Sequence, residues 1–144
     1  INNCVMRTKN VSEFWWGFAE PINIASINRK DEIPSGKVKG LSITNVRCKG
    51  EGSIYIAGKD SAPIEDLTLS NIRLELEKTT KYPIKGYDFR PCCGPDFQEG
   101  KINGIYVKNA KNVKAENLEV TVHDNMKEWV DKEICFENAV VKEK

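Results

Sequence analysis

The feature that most restricts the fold of this chain is an asparagine that recurs at one place in a strand-like phrase. The phrase alternates apolar and polar residues on both sides of the asparagine, and it occurs around Asn45, Asn71 and Asn117, with a truncated copy around Asn3. Period-two alternation is typical of a β-strand with one buried face. Asparagine tolerates a left-handed backbone and its amide bonds neighbouring backbone groups, so each copy is interpreted as two short strands joined at a sharp corner.

Two apolar columns appear when the copies are aligned on these asparagines. The first column contains Cys4, Val46, Ile72 and Leu118, and the second contains Met6, Cys48, Leu74 and Val120. A third strand phrase recurs at 21–25, 53–57, 104–108 and 133–137. Three short strands per repeat, repeated about four times, predict an all-β solenoid of about four coils.

The spacing of the corner asparagines separates the coils from two loop insertions. Successive corners lie 42, 26 and 46 residues apart. If the shortest spacing is one bare coil, the other two carry about 16 and about 20 extra residues, which solenoids tolerate as loops on one face. The first insertion contains Trp15, Trp16 and Glu20, and the second contains Asp88 and Arg90.

Length and composition bound the class of protein. The chain has no linker-like or low-complexity stretch, so we expect residues 1–144 to form a single solenoid segment. A formal net charge of +1 gives no basic field for a nucleic-acid partner. No apolar run reaches the roughly 20 residues that span a bilayer, so no membrane partner is expected. No group of residues has the spacing of a structural metal site, and no metal or other cofactor is expected.

The start of the chain predicts a longer parent protein. The first residue is Ile1, and the first repeat is already under way there. A solenoid needs a cap over the apolar cross-section of its end coil. We therefore expect residues 1–144 to be the C-terminal part of a longer solenoid, with upstream coils of the same protein as its partner. The amphipathic run at 123–133 is interpreted as an end cap.

The five cysteines leave at least one thiol without a disulfide partner in the chain. Cys4 and Cys48 fall in different inward columns, so they are expected to act as small hydrophobic residues. Cys92 and Cys93 are adjacent in the second insertion. A vicinal disulfide or a metal site is one interpretation of this pair, and two thiols in a packed loop is the favoured one.

Several longer phrases make the chain resemble a known family. They are Trp-Trp-Gly-Phe-Ala-Glu-Pro-Ile at 15–22, Gly-Lys-Val-Lys-Gly-Leu-Ser-Ile-Thr-Asn-Val-Arg-Cys-Lys-Gly-Glu at 36–51, Pro-Ile-Glu-Asp-Leu-Thr-Leu-Ser-Asn-Ile-Arg-Leu at 63–74, Tyr-Asp-Phe-Arg-Pro-Cys at 87–92 and Gly-Ile-Tyr-Val-Lys-Asn at 104–109. Together they resemble the C-terminal coils of bacterial pectin-lyase-like proteins, in particular the glycoside hydrolase family 28 (polygalacturonase-like) branch. The resemblance covers essentially the whole chain. It implies a right-handed parallel β-helix, a groove along one sheet for acidic plant polysaccharide, and a secreted or periplasmic parent protein.

The catalytic words of that family are absent. Family 28 enzymes carry aspartates in Asn-Thr-Asp and Asp-Asp motifs, together with a Gly-His-Gly histidine and an Arg-Ile-Lys pair. None of these motifs occurs here. The single histidine, His123, precedes Asp124 in a polar stretch and is expected to be a surface residue. If the parent is a hydrolase of this family, its acid and base lie upstream, and this segment alone is expected to be inactive.

The register of the third strand phrase leads to the same conclusion independently. Alternation points Asn23, Tyr55, Tyr106 and Cys135 outward as one column. This column contains no carboxylate, and on the columns beside it only the last coil contributes acids. Glycosidases place two carboxylates across the scissile bond. Paired-carboxylate catalysis on this sheet is therefore disfavoured.

The residues of the outward column are the first candidates for saccharide contact. Asn23, Tyr55 and Tyr106 form either a sugar platform, with aromatic faces against a pyranose, or a cross-strand packing column. Trp15 and Trp16 add aromatic surface from the first insertion. They face opposite sides of an extended segment, so one can be buried while its neighbour meets a ligand, and burial of at least one is favoured.

Charged residues of the insertions complete the candidate site. Glu20 precedes a proline that fixes it in an extended conformation. It either bonds sugar hydroxyls or, as favoured, pairs with Arg29 or Lys30. Asp88 and Arg90 lie on the same side of an extended segment, where a local salt bridge is favoured over an arginine directed at a uronate carboxylate.

Two functional hypotheses follow. The leading one is the C-terminal portion of a family-28-like glycoside hydrolase that contributes groove residues for a pectic polysaccharide or oligosaccharide. The rival is a non-catalytic β-helix that binds carbohydrate or serves as a scaffold.

Overall fold

The computed structural model describes residues 1–13, 17–30, 33–92 and 97–142. Within these ranges the chain forms ten strands and one short 3₁₀ turn at Asp124–Met126. The strands are β1 (Asn2–Arg7), β2 (Ile22–Ala25), β3 (Ser42–Gly50), β4 (Ile54–Ala57), β5 (Ile64–Glu65), β6 (Thr68–Leu76), β7 (Gly86–Asp88), β8 (Phe97–Glu99), β9 (Ile105–Val122) and β10 (Ile134–Val141). The predicted all-β class is confirmed.

Parallel pairing organises most of these strands into two layers, while β7 and β8 form a separate antiparallel pair. The first layer, the Asn sheet, consists of β1, β3, β6 and residues 114–122 of β9, paired in that order. The second layer, the Tyr sheet, consists of β2, β4, residues 105–108 of β9, and β10. Strand β9 belongs to both layers and also pairs with the short β5 at residues 110 and 111. One parallel sheet therefore curls on itself, with three pairing segments per repeat.

The bends of β9 occur at asparagines in the left-handed conformation. Asn109, Asn112 and Asn117 have φ of 50°, 53° and 52°. Left-handed backbone is rare for residues other than glycine, and asparagine is enriched there. Each of these residues turns the strand from one face of the sheet to the next, so one 18-residue strand can serve both layers.

The predicted columns are confirmed by the register. In the Asn sheet the inward columns pair Cys4, Val46, Ile72 and Leu118, and then Met6, Cys48, Leu74 and Val120. In the Tyr sheet Ile22, Ile54, Ile105 and Ile134 align in the same way. Ile54, Ile72 and Ile105 have no exposed surface, so the core lies between the two sheets.

The predicted corners are also confirmed. Asn3, Asn45, Asn71 and Asn117 all have φ between 52° and 54°. The amide of Asn117 donates to Asn71 Oδ1 at 2.7 Å, and the amide of Asn71 donates to Asn45 Oδ1 at 3.0 Å. The amide of Asn45 donates to Asn2 rather than to Asn3. The corners thus bond to one another along the repeat axis.

Two further corner pairs were not predicted from the sequence. Asn138 donates to Asn109 Oδ1 at 2.7 Å, and Asn112 donates to Asp66 Oδ1 at 3.0 Å. Asp66 and Asn138 also have positive φ. The signal that could have revealed the first pair is the shared phrase Val-Lys-Asn109-Ala and Phe-Glu-Asn138-Ala.

The stretch at 123–133, interpreted above as an end cap, connects β9 to β10. Met126 is completely buried, and Ile102 donates its N–H to the Trp129 carbonyl at 2.9 Å. Strand β10 then pairs with β9, so the stretch packs beside the core between two neighbouring strands.

The cysteines Cys4, Cys48 and Cys135 carry free thiols, and Cys93 lies outside the described residues. Burial, together with nearby Cys4, raises the pKa of Cys48 to about 11. Cys48 therefore behaves as the small hydrophobic residue expected from its inward column. Among the described residues, no helix has both the length and the apolarity needed to cross a bilayer.

Candidate functional site

The second insertion covers the outer face of the Tyr sheet. The ring of Tyr87 lies 4.7 Å from the ring of Tyr55 and 5.4 Å from that of Tyr106, centroid to centroid, and Phe89 lies 5.8 Å from Tyr55. Tyr55 and Tyr106 are themselves 5.6 Å apart. These distances are typical of favourable aromatic pairs. The insertion and the sheet therefore share an aromatic cluster outside the main core.

This packing decides between the two interpretations of the outward column, a sugar platform and a packing column. Tyr55 and Tyr106 do point outward, in register with Asn23, but only 3% and 2% of their surfaces are exposed. The packing alternative is therefore the right one for both tyrosines, and Asn23 remains exposed. In the sequence, Tyr87 and Phe89 lie on either side of Asp88. Alternation in an extended segment therefore places both of their rings on the side that covers the Tyr sheet.

A buried carboxylate anchors the start of this insertion. Glu51 has no exposed surface and forms an ion pair with Lys78 at 3.0 Å. It also accepts hydrogen bonds from the backbone N–H of Thr79 at 2.9 Å and from the hydroxyls of Thr79 and Thr80. Burial alone would raise the pKa of Glu51, but these hydrogen bonds outweigh it and lower the pKa below its usual value. Sequence reasoning missed Glu51 as an anchor.

A close backbone contact shapes the hairpin of β7 and β8. Gly86 has φ of 116°, and a Cβ at this position would lie 1.9 Å from the Gln98 carbonyl oxygen. Only glycine adopts this conformation and permits this approach. At the base of the hairpin, the hydroxyl of Tyr87 accepts the N–H of Asn103 at 2.7 Å.

Asp88 joins the two insertions. Its Oδ2 accepts the N–H of Gly17 in the first insertion at 2.6 Å, and its side chain is 1% exposed. Arg90 forms the predicted ion pair, with Nη2 2.7 Å from Oδ2 and Nε 3.0 Å from Oδ1. Burial would raise the pKa of Asp88, yet Arg90 and the Gly17 N–H lower it. Asp88 therefore remains an ionised structural joint.

The same contacts define how Arg90 is oriented. Its Nε and Nη2 edge is occupied by Asp88, so this edge does not bind a ligand uronate. The guanidinium carbon lies 4.4 Å from the centroid of the Phe97 ring, within the range of cation–π contacts. Phe97 is 37% exposed, and its ring centroid also lies 5.9 Å from that of the buried Phe18.

Glu20 turns back into the first insertion instead of forming the favoured ion pair. Its Oε2 accepts the N–H of Phe18 at 2.7 Å, and its Oε1 is buried without a partner among the described residues. No ion pair with Arg29 or Lys30 is present within the described ranges. Burial raises the pKa of Glu20, and the negative charge of Asp88 adds to the rise.

The group formed by Gly17, Glu20, Asp88, Arg90 and Phe97 is named here the insertion junction. It brings together three of the predicted site residues, Glu20, Asp88 and Arg90, and leaves Asn23 and the two tyrosines on the sheet. Trp15 and Trp16 lie outside the described residues and directly precede Gly17 in the sequence. Phe97 and the contact to Gly17 are the members that sequence reasoning missed.

The remaining carboxylate on the Tyr sheet is held by neighbours. Glu137 lies 2.8 Å from the Nζ of Lys108 and accepts the hydroxyl proton of Tyr106. Lys108 and Tyr106 lower the pKa of Glu137, while burial raises that of Tyr106. His123 is half-exposed, with its Nε2 2.8 Å from Glu75 Oε1, which fits the expected surface position.

The protein has no match among protein-family models, among curated proteins or among solved structures. The structure therefore defines its class as an all-β chain with a parallel sheet that curls on itself. Two insertions are joined by a hydrogen bond on one outer face of that sheet.

Proposed function

We propose that this chain is a saccharide-binding segment of a right-handed parallel β-helix, the C-terminal part of a longer glycoside hydrolase of the family 28 type. The handedness is supported by the parallel pairing of successive repeats, since crossovers between parallel strands are right-handed in about 98% of cases. The asparagine corners and the register support the solenoid.

Upstream coils are supported by the burial of the first strand. The inward residues Cys4 and Met6 of β1 are only half-buried, whereas Val46 and Cys48, which pair with them in β3, are 0% and 4% exposed. A further coil stacked on β1 would bury Cys4 and Met6 in the same way. The parent protein would supply that coil.

The observation that carries the saccharide proposal is the exposed ring of Phe97 stacked on the guanidinium of Arg90 at the insertion junction. Asp88 fixes the guanidinium from one side and ties both insertions together. The exposed ring of Phe97 can pack against the apolar face of a pyranose, and nearby polar groups can bond its hydroxyls. Trp15 and Trp16, next to Gly17 in sequence, and the exposed Asn23 would extend this surface.

The junction is proposed to bind rather than to cleave. Both oxygens of Asp88 are engaged by Arg90 and Gly17, and Oε1 of Glu20, which has no hydrogen-bond partner among the described residues, is buried. Neither carboxylate is placed to activate water. The catalytic acids of the enzyme would then come from upstream coils. A non-catalytic carbohydrate-binding β-helix is the second candidate, and the same missing acids favour it.

A binding titration with matched aromatic variants tests the proposal. We expect Phe97→Ala to weaken the binding of short oligogalacturonides or neutral oligosaccharides about fivefold or more, because an aromatic contact of this kind is worth about 1 kcal/mol or more. Tyr82→Ala is the control, since Tyr82 is another insertion aromatic with a cation, Lys81, 5.5 Å from its centroid. We also expect no release of reducing ends by the isolated chain.

Three results would contradict the proposal. The first is the absence of saturable saccharide binding by the unmodified chain, and the second is an equal loss of binding in Phe97→Ala and Tyr82→Ala. Hydrolysis that disappears in Glu20→Gln or Asp88→Asn would instead assign catalysis to the junction itself.

A further inference from the structure

Strand β1 has a neighbour on one side only. It is the first strand in the pairing order of the large sheet, and among the described residues no strand pairs with its other side. Consecutive residues of a parallel strand bond alternately to its two neighbours. Thr8 donates its N–H to the Lys49 carbonyl at 3.0 Å, so the backbone groups of Val5 and Arg7 point away from β3. An open edge of this kind is a template for another strand.

On the outer face of the Asn sheet, two cations are neutralised by carboxylates directly opposite them on the next strand. Lys49 Nζ of β3 lies 2.6 Å from Oε1 of Glu75 in β6, and the two residues are in register. Arg73 Nε of β6 lies 3.0 Å from Oε2 of Glu119 in β9, and these two are also in register. Opposite charges placed in this way stabilise a sheet.

Arg7 is the cation that has an open position beside it. Its one neighbour in register is Lys49, and like charges placed directly opposite each other destabilise a sheet. Among the described residues, no ion pair reaches Arg7. Arg47 has none either, but Val5 and Arg73 of the chain already occupy both positions beside it. A carboxylate can therefore reach Arg7 in register only from a strand on the open edge of β1.

The apolar residues of β1 require a neighbour on the same edge. Cys4 and Met6 face the core and are only half-buried, and Val5 on the outer face is 79% exposed. A parallel strand with apolar residues opposite Cys4 and Met6 would remove this surface from water, which is favourable in proportion to the apolar area buried.

We propose that the open edge of β1 binds a parallel strand that places a carboxylate opposite Arg7 and apolar residues opposite Cys4 and Met6. This strand belongs to the proposed upstream coil, so the inference depends on that proposal and specifies the chemistry of the partner. Main-chain hydrogen bonds to the edge provide affinity, and the side chains at alternate positions provide specificity. The carboxylate lies four residues after the corner asparagine of its own strand, as Arg7 does after Asn3.

A second copy of this chain fits the edge less well. Residues 114–122 of β9 pair with β6 alone among the described strands, so they are the edge that a second copy would offer in the same register. Alignment on the corner asparagines would place Thr121 opposite Arg7 and Glu119 opposite Val5. No carboxylate would then lie directly opposite Arg7.

A peptide with the sequence of residues 66–76 tests this surface. It contains the corner Asn71, apolar residues at the inward positions and Glu75 four residues after the corner. We expect saturable binding in isotope-edited NMR titrations of the whole chain, together with slower hydrogen exchange of the Val5 and Arg7 N–H groups. The matched peptide with Glu75→Lys should bind about fivefold more weakly, because it replaces an opposite charge with a like charge.

Charge variants of the chain locate the preference. Arg7→Gln should bind the two peptides with affinities equal to within about twofold, because the charge that distinguishes them is gone. Arg29→Gln removes the same charge from another exposed position and should keep the preference. Both substitutions are on the surface, where changes in stability are usually small.

The proposal is wrong if neither peptide slows exchange of the Val5 and Arg7 N–H groups, or if Arg7→Gln keeps the preference. Protection of these groups without peptide, in a dimer detected by sedimentation, would instead assign the edge to a second copy. Phe97→Ala should leave peptide binding unchanged. Peptide binding without oligosaccharide binding would therefore reject the saccharide site alone, and the reverse result would reject this surface alone.

Discussion

The outer faces of the two sheets differ in exposure, although the same alternating pattern in the sequence produces both. Both have outward residues at alternate positions of parallel strands, in register from repeat to repeat. On the Tyr sheet these residues, Tyr55 and Tyr106, are buried beneath Tyr87 and Phe89. On the Asn sheet they are charged and stay exposed, as in Arg47.

The difference shows that alternation decides which side of the sheet a residue faces and leaves its exposure undecided. Exposure depends on where a distant segment folds back. The second insertion follows β6 of the Asn sheet and crosses to the Tyr sheet, where aromatic rings meet aromatic rings. The charged face offers little apolar surface apart from the exposed Val5 beside Arg47, so no comparable gain would bring an insertion there.

The largest expected effect is a contrast between the two faces. Tyr55→Ala should cost about 3–5 kcal/mol of unfolding free energy, since it removes a buried ring from the aromatic cluster. Arg47→Ala should change stability by less than about 0.5 kcal/mol and could raise it slightly, because it relieves repulsion with Arg73. Urea unfolding of both variants provides the measurement. Similar losses in the two variants would show that the faces are equivalent after all.

The Asn sheet should depend on its corners rather than on its outer face. Asn71→Ala should lose about 2–3 kcal/mol, from left-handed strain in alanine and from lost amide bonds to Asn45 and Asn117. Asn71→Gly removes the same bonds without the strain, so it should lose about 1 kcal/mol less than alanine. Thermal or urea unfolding compares the two. Equal losses would mean that the backbone conformation contributes nothing.

The second insertion, which covers the Tyr sheet, should depend on the buried carboxylate of Glu51 that anchors it. Glu51→Gln should cost about 2 kcal/mol at neutral pH, since bonds to a buried carboxylate are stronger than those to an amide. The pKa of Glu51 is lowered in the folded state from its ordinary value of 4.5. Its contribution is therefore present above about pH 4.5 and is lost as pH falls through the folded pKa. Unfolding at several pH values should show the two proteins converging in acid, and a constant difference would contradict the assignment.

The smallest effect is expected at Glu20, with the opposite sign. Its pKa is raised in the folded state above 4.5, so wild-type stability should fall as pH rises through the folded pKa. Glu20→Gln removes this dependence and should gain less than about 1 kcal/mol relative to wild type as pH rises from 4 to 7. Glu13→Gln, at an exposed position of the same insertion, is the control. A relative loss for Glu20→Gln at pH 7 would mean that its carboxylate is stabilised by a partner.

Sequence reasoning was most successful where contacts repeat at fixed spacing. The corner asparagines and the apolar columns could be aligned by eye because each repeat pairs with the next in the same register. The Asp88–Arg90 ion pair was also predictable, because its partners are two residues apart. For the saccharide surface, the proposal rests on Phe97, which no sequence pattern singled out.

The expectations that were corrected all required knowledge of the partner across a long loop. Glu20 was expected to pair with nearby Arg29 or Lys30. Instead it lies near Asp88, 68 positions away, whose negative charge contributes to its raised pKa. The hydrogen bond from Gly17 to Asp88 holds the two insertions together at this point. For Tyr55 a sugar platform and a packing column were both left open, and the ring of Tyr87 covers it. Loop residues lack a period from which such contacts could be read.

The sequence by itself determined the all-β class, the left-handed corners at Asn45, Asn71 and Asn117, and the in-register columns, because these depend on short-range backbone preference and on a repeating pattern. Only the tertiary structure decided that the Tyr sheet is covered while the Asn sheet is open, and that Asp88 joins the two insertions. Those outcomes depend on burial of aromatic surface and on a carboxylate finding donors from distant segments, and neither has a local signal.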